Sequence, residues 1–249
     1  PRRAVRFRSR TPTSALGPRA RAFMCHPRHV PIDFNRARRA FMLEGRGSLQ
    51  GLTRFLDARF IPPAAELAAY SGSARARAPS DDRCQATGMA HGSLVDAQLQ
   101  QWIEGRATLT HADPCATRLA RGMTRLGLRP VAAQAMVYDE RPGARWATAV
   151  DALAVNAAGA LVVLEFKCTR HPDIYTRESG KYMRGLLHAQ PYSLWSHHQM
   201  QLAMPVAAMR ALYGTRVAAA YVMVASPPDT LDVYPLQPTF LRAALASAQ

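Results

Sequence analysis

Asp151 stands among apolar and small residues in TAVDALAV, and Glu165 and Lys167 close the apolar run LVVLEFKC. If that run is extended, Glu165 and Lys167, two residues apart, project from the same face of a strand. If the strand of Asp151 lies beside it, joined by the turn at NAAG, both carboxylates approach one point next to an ammonium. Such a set suits metal-assisted cleavage of a phosphodiester. A hard cation such as Mg²⁺ takes carboxylate oxygens and keeps several waters. The ion makes a better nucleophile of its water and stabilises charge gathering on the phosphate. An amine nearby positions that water or neutralises the phosphate oxygens. The pattern is short, however, and a Glu–Lys pair capping a solvated strand end reads the same.

Lys167 is one of two lysines among 32 basic residues, the other being Lys181. A chain that writes arginine almost everywhere keeps an ammonium where a compact charge can approach a scissile phosphate, which a planar guanidinium does poorly.

The elements that must position these residues follow from periodicity. From Ile32 to Tyr70 the apolar residues Phe41, Met42, Leu49, Leu52, Phe55 and Leu56 suggest helical spacing, and residues 71–87 read as a loop. A helix is predicted from about Ser93 to Glu104. A second starts at Asp113, an N-cap with Pro114 at the first helical position. Past Pro130 the period changes to strands: VAAQAMVYD, WATAVDALAVN and ALVVLEFKC, separated by turns at RPGA and AAG. One or two helices follow between Leu186 and Tyr213, broken or kinked at Pro191 and Pro205. VAAAYVMVA is a fourth strand, LDVYPL a candidate fifth, and PTFLRAALASA a closing helix. The predicted class is α/β with a mixed central sheet flanked by helices, in the order α-β-β-β-α-β.

A 48% hydrophobic content is enough to fill a core, so wholesale disorder is excluded. No apolar run is long enough to span a bilayer, so no membrane partner is expected. The four cysteines form no CxxC pair, which fits a reducing compartment rather than a disulfide scaffold. The net charge of +15 is uneven: residues 1–50 hold twelve arginines against Asp33 and Glu44. Basicity of this kind implies an anionic partner such as nucleic acid. Residues 1–32 contain no acid and read as a targeting segment, a disordered basic arm or a solubilising tail. Residues 33–87 form a helical extension and loop, and residues 88–249 the main domain.

The spacing from Asp151 to Glu165-Phe166-Lys167 resembles the motif of the PD-(D/E)XK nuclease superfamily, whose restriction-endonuclease-like core has the element order just read. GSLVDAQL resembles the first-helix element of its RecB-like and lambda-exonuclease-like branch, the viral-type recombinase exonucleases, and places Asp96 at a metal-ligand position. HHQMQLAM resembles the glutamine-bearing helix that follows the lysine in that branch, with Gln199 and Gln201 as candidates. The resemblance covers about residues 88–225. Asp96 stands where a histidine is frequent, and Thr148, Ala149 and Val150 where a glycine often precedes the aspartate.

The resemblance implies Mg²⁺ or Mn²⁺ held by Asp96, Asp151, Glu165 and the Phe166 carbonyl, with Lys167 acting on the attacking water. Gln199 or Gln201 would hold the lysine or the phosphate. It also implies a DNA nuclease, an exonuclease first, processing double-stranded ends or single strands in recombination, repair or replication. An annealing or replication partner and an oligomer are compatible with it. A structure-specific endonuclease, an RNA-directed nuclease and a non-catalytic nucleic-acid-binding protein stay open. Arg177, Lys181 and Arg184 are candidate phosphate contacts, a solvated charged face being the alternative. His197 and His198, adjacent on a helix, point about 100° apart and do not chelate one ion together. Cys168 is expected on the opposite face of the strand from Lys167.

Overall fold

Nine strands form one sheet among the described residues of a computed structural model. Those residues are 5–6, 22–26, 32–35, 40–43, 47–67, 82–169, 172–226 and 229–247. The strands are β1 (Val5–Arg6), β2 (Ile32–Asn35), β3 (Ala40–Leu43), β4 (Gly47–Gly51), β5 (Arg129–Asp139), β6 (Trp146–Val155), β7 (Leu161–Cys168), β8 (Val217–Ser226) and β9 (Thr230–Pro235). The helices are α1 (Leu52–Arg59), α2 (Asp82–Ile103), α3 (Pro114–Arg125), α4 (Pro172–Tyr175), α5 (Leu194–Ala211) and α6 (Pro238–Ala246). The sheet runs β1-β2-β3-β4-β6-β7-β8-β9, with β5 also paired to β6. The β4–β6 and β7–β8 pairs are parallel and the others antiparallel. The expected α/β class and the order α2, β5, β6, β7, α5, β8 are both present.

Helices cover both faces. Val95 and Leu99 of α2 and Leu119 and Met123 of α3 pack on Leu164, Phe166 and Met223. Phe55 of α1, Met200 and Val206 of α5 and Phe240 of α6 pack on Leu153, Val163 and Val222 from the other side. A fully buried side chain of this kind contributes about 1.5–3 kcal/mol. Burial on both faces explains why β7 reads as a continuous apolar run.

Two expectations are corrected. The stretch from Ile32 to Gly51 is three strands, with Phe41 paired to Leu49 and Gln50 beside Trp146 of β6, so this region extends the main sheet. Its apolar runs are too short to separate a helical period from a strand period, and pairing partners decide. Helix α2 starts at Asp82, well before Ser93, and carries Gly88 and Gly92 in its interior despite their low propensity. Residues 71–81 lie outside the described residues, as does most of the basic segment 1–32.

Between β7 and α5 the described residues make the short α4, a bridge between Tyr182 and Pro191, and a 3-10 turn at Gly185–Leu187. Pro191 therefore precedes the helix, whereas Pro205 lies inside it. Ser193 starts α5 with a reciprocal cap: its hydroxyl accepts from the Ser196 amide at 3.1 Å, and the Ser196 hydroxyl accepts from its amide at 2.8 Å. That cap sets His197, His198 and Gln199 in the opening turns. The N-cap at Asp113 is as expected, its carboxylate accepting from the Cys115 amide at 2.8 Å. No helix among the described residues is long and apolar enough to cross a membrane.

Candidate metal and phosphoryl-transfer site

The β6–β7 ladder pairs Val155 with Leu161, Ala154 with Val162, Leu153 with Val163 and Ala152 with Leu164. Its next step would set Asp151 against Glu165, and there the backbone pairing stops. Residues opposite one another in an antiparallel pair share a face, so the two carboxylates meet at the mouth of this split. Strand β7 stays in line because its other edge continues along β8 as far as Cys168 and Ala225.

The Asp151 carboxylate fills the gap left by the ladder, accepting from the Phe166 amide at 2.7 Å. In an extended strand the N–H and C=O of one residue point the same way, so the Phe166 carbonyl faces the same opening. Glu165 is 4% exposed and accepts from the Lys167 ammonium at 2.5 Å. Asp96, half-buried on α2, lies within electrostatic reach of both Glu165 and Lys167. Asp96, Asp151, Glu165 and Lys167 thus form one cluster.

The cluster is electrostatically loaded. Burial pushes the Asp96 carboxyl up to about 6, opposed by Lys167 and reinforced by Glu165. Asp151 is raised well above the carboxylate range, by burial first and then by Glu165. Burial disfavours the Lys167 charge, yet Glu165, Asp151 and Asp96 outweigh it and hold the proton more tightly than usual. Three carboxylates and one ammonium leave surplus negative charge, and the donors are all oxygens. That set fits a hard divalent cation.

The α5 face closes the site. The imidazole of His198 bonds the Tyr175 hydroxyl at 3.0 Å, and the rings stack with centroids 5.5 Å apart. Burial and the nearby Lys167 depress both histidines, His197 to about 4 and His198 well below the ordinary imidazole range, so they stand neutral beside the ammonium. Burial and Tyr234 raise the Tyr175 hydroxyl, with a smaller push from Glu165. The sequence signal for Tyr175 and His198 at this place is their position after the lysine and at the start of the next helix.

Gln199 departs from its expected role. Its side-chain amide donates to the Pro235 carbonyl at 3.3 Å, and its oxygen accepts from the Gln237 amide at 2.8 Å. Both ends of the carboxamide are spent fastening the β9–α6 corner, so Gln199 does not hold Lys167. Gln201 is half-buried on the same helix. Arg177, Lys181 and Arg184 are exposed along the 176–193 connection, where phosphates can be met. Cys168 packs on the α2–α3 face, as alternation required.

Gln134 of β5, opposite Asp151 in the β5–β6 register, has φ 51°, a left-handed conformation unusual for a non-glycine residue. A second donor group was not anticipated: His91, Asp113 and Cys115, with ligand atoms all within 4.8 Å of one another, can hold a metal ion. The separation of 22 positions between His91 and Asp113 hides it from any motif.

No family model matches the chain, and no curated protein does. Among solved structures, SSO0001 is 15% identical, with a TM-score of 0.31 over 53% of this chain and 55% of that one. A protein from Eubacterium rectale provisionally named an exonuclease is 14% identical, with a TM-score of 0.38 over 65% of this chain and 63% of that one. The chain therefore spans less than two thirds of either structure's own length.

Proposed function

We propose that the chain is a metal-dependent DNA nuclease, with exonucleolytic processing of DNA ends as its activity. The observation that carries this reading is the split between β6 and β7, where Asp151 and Glu165 face one another beside Lys167. Asp96, Asp151, Glu165 and the Phe166 carbonyl would hold Mg²⁺ or Mn²⁺. When bound, the ion supplies a water of lowered pKa and a counter-charge for the phosphate.

The remaining work belongs to the protein's own groups. Lys167 carries its proton, so it serves as an ammonium that orients the attacking water or neutralises the phosphate oxygens. Its distance of 2.5 Å from Glu165 fixes it at the site. Neutral His197 and His198 add no competing positive charge. Arg177, Lys181 and Arg184 grip the DNA backbone on approach. The preference for ends over internal sites, and for DNA over RNA, comes from the motif resemblance.

The test is incubation of end-labelled duplex, closed plasmid and RNA with the chain and Mg²⁺, with and without chelator, alongside Lys167→Ala. Chelator-sensitive loss of end-labelled DNA in the wild type alone supports the proposal. Binding without cutting by both proteins would favour a non-catalytic nucleic-acid-binding role, plasmid cutting an endonuclease, and preferential RNA loss an RNA-directed enzyme.

A further inference from the structure

Behind the sheet, on the face away from Lys167, four side chains of metal-ligating type come together. His91 Nε2 lies 2.9 Å from Asp113 Oδ2. The Cys115 thiol follows two residues on, and Cys168 packs against the same core cluster as Cys115, within electrostatic reach of it. They come from three elements: His91 from α2, Asp113 and Cys115 from the start of α3, Cys168 from the end of β7. Cys115 and Cys168 are free thiols.

We propose that His91, Asp113, Cys115 and Cys168 form a structural zinc site distinct from the carboxylate cluster. Two thiolates, an imidazole and a carboxylate are a complete tetrahedral set for a borderline-soft ion and a poor one for Mg²⁺. Donors around zinc stand about 3.3–3.8 Å apart, given bonds of roughly 2.0–2.3 Å. The first three donors already lie within 4.8 Å of one another, and Cys168 packs against the same core cluster as Cys115, where it can supply the fourth. The Asp113 carboxylate suits both tasks: Oδ1 accepts from the Cys115 amide, leaving Oδ2 to the metal. That amide bond orients the ligand as an outer-shell partner does. Cys115 is 4% exposed and His91 and Asp113 are half-buried, so the site is sheltered yet reachable from solvent.

The placement gives the ion a purpose. Helix α2 carries Asp96 as well as His91, and β7 carries Glu165 and Lys167 just before Cys168. Zinc would therefore pin together the two elements that bring Asp96 to Glu165, and its binding free energy adds to folding.

The test is elemental analysis of the full chain, isolated under reducing conditions with zinc available and dialysed against a weak chelator. Cys115→Ser, Cys168→Ser and His91→Gln are treated alongside, and wild type reconstituted with Co²⁺ is read by absorption. About one zinc per chain is expected in wild type, falling below about a tenth in both cysteine variants. The Co²⁺ protein should show a thiolate charge-transfer band, which decides the matter even where a variant fails to fold. Wild type without zinc, zinc kept by Cys115→Ser and Cys168→Ser, or a Cys115–Cys168 disulfide in freshly isolated protein would overturn the proposal. None of these readouts depends on DNA cleavage, so the site stands or falls apart from the nuclease reading.

Discussion

The Asp151 carboxylate accepts a hydrogen bond from the Phe166 amide at 2.7 Å, in the place where the β6–β7 ladder would otherwise continue. One side chain therefore lets two paired strands part without leaving a buried N–H unsatisfied, and the parting makes room for a ligand between them. Asp151→Asn keeps an acceptor for that amide and removes a charge that burial and Glu165 oppose. The variant should unfold at the wild-type temperature or above it, while cleavage falls by about 10²–10⁴. Asp151→Leu leaves the amide unpaired and should cost about 1–3 kcal/mol. Thermal unfolding and initial rates on the same preparations check both.

Asp96 gives a pH dependence with a definite sign. Its carboxyl is raised from 3.8 to about 6, so the folded state keeps a proton that the unfolded chain loses earlier. Stability of the metal-free protein should then fall as pH rises from 3.8 through about 6, and the penalty is complete above that. Asp96→Asn removes it. The variant should be more stable than wild type at pH 7 by about 1–2 kcal/mol, with solvent screening allowed for, and equal to it below pH 3.8. At sub-saturating Mg²⁺, wild-type activity should fall as pH drops through about 6, because protons compete with the ion for this carboxylate.

Gln199 tests whether a glutamine on α5 acts on chemistry or on architecture. Gln199→Ala removes both bonds; the exposed Pro235 carbonyl keeps the Gln237 side-chain amide, while the half-buried Gln237 N–H loses its partner. A destabilisation of about 1–3 kcal/mol is expected in denaturant unfolding. The rate per folded molecule should stay within a few-fold of wild type. A rate loss of 10² or more at full folding would return Gln199 to the site.

Gln134 holds φ 51° opposite Asp151. Gln134→Gly should relieve about 1–2 kcal/mol of backbone strain, partly offset by the added freedom of the unfolded chain. If the strain positions Asp151, the more stable variant will cleave more slowly. Urea midpoints and rates measured together separate the two effects.

Much of this was legible in the sequence because the signals were local. The spacing of Glu165 and Lys167, the turn at NAAG and the cap at Asp113 each specify a nearby geometry, and β5, β6, β7 and β8 fall where alternation or apolar runs put them. What could not be read depends on partners distant in the chain. The strands at Ile32–Gly51 become strands by pairing with one another and with β6. Gln199 looks like an active-site residue until the β9–α6 corner, more than 30 residues on, arrives to use both ends of its amide. His91, Asp113, Cys115 and Cys168 come from three elements that no single window contains.

The central claim is that Asp96, Asp151 and Glu165 surround one divalent cation beside Lys167. A crystal soaked in Mn²⁺ and measured at the manganese edge tests it most directly. Anomalous density between Asp151 and Glu165, absent from Asp151→Asn crystals, is the predicted result. A fully soaked crystal with no density there, or with the carboxylate oxygens turned to opposite sides of the sheet, would contradict it.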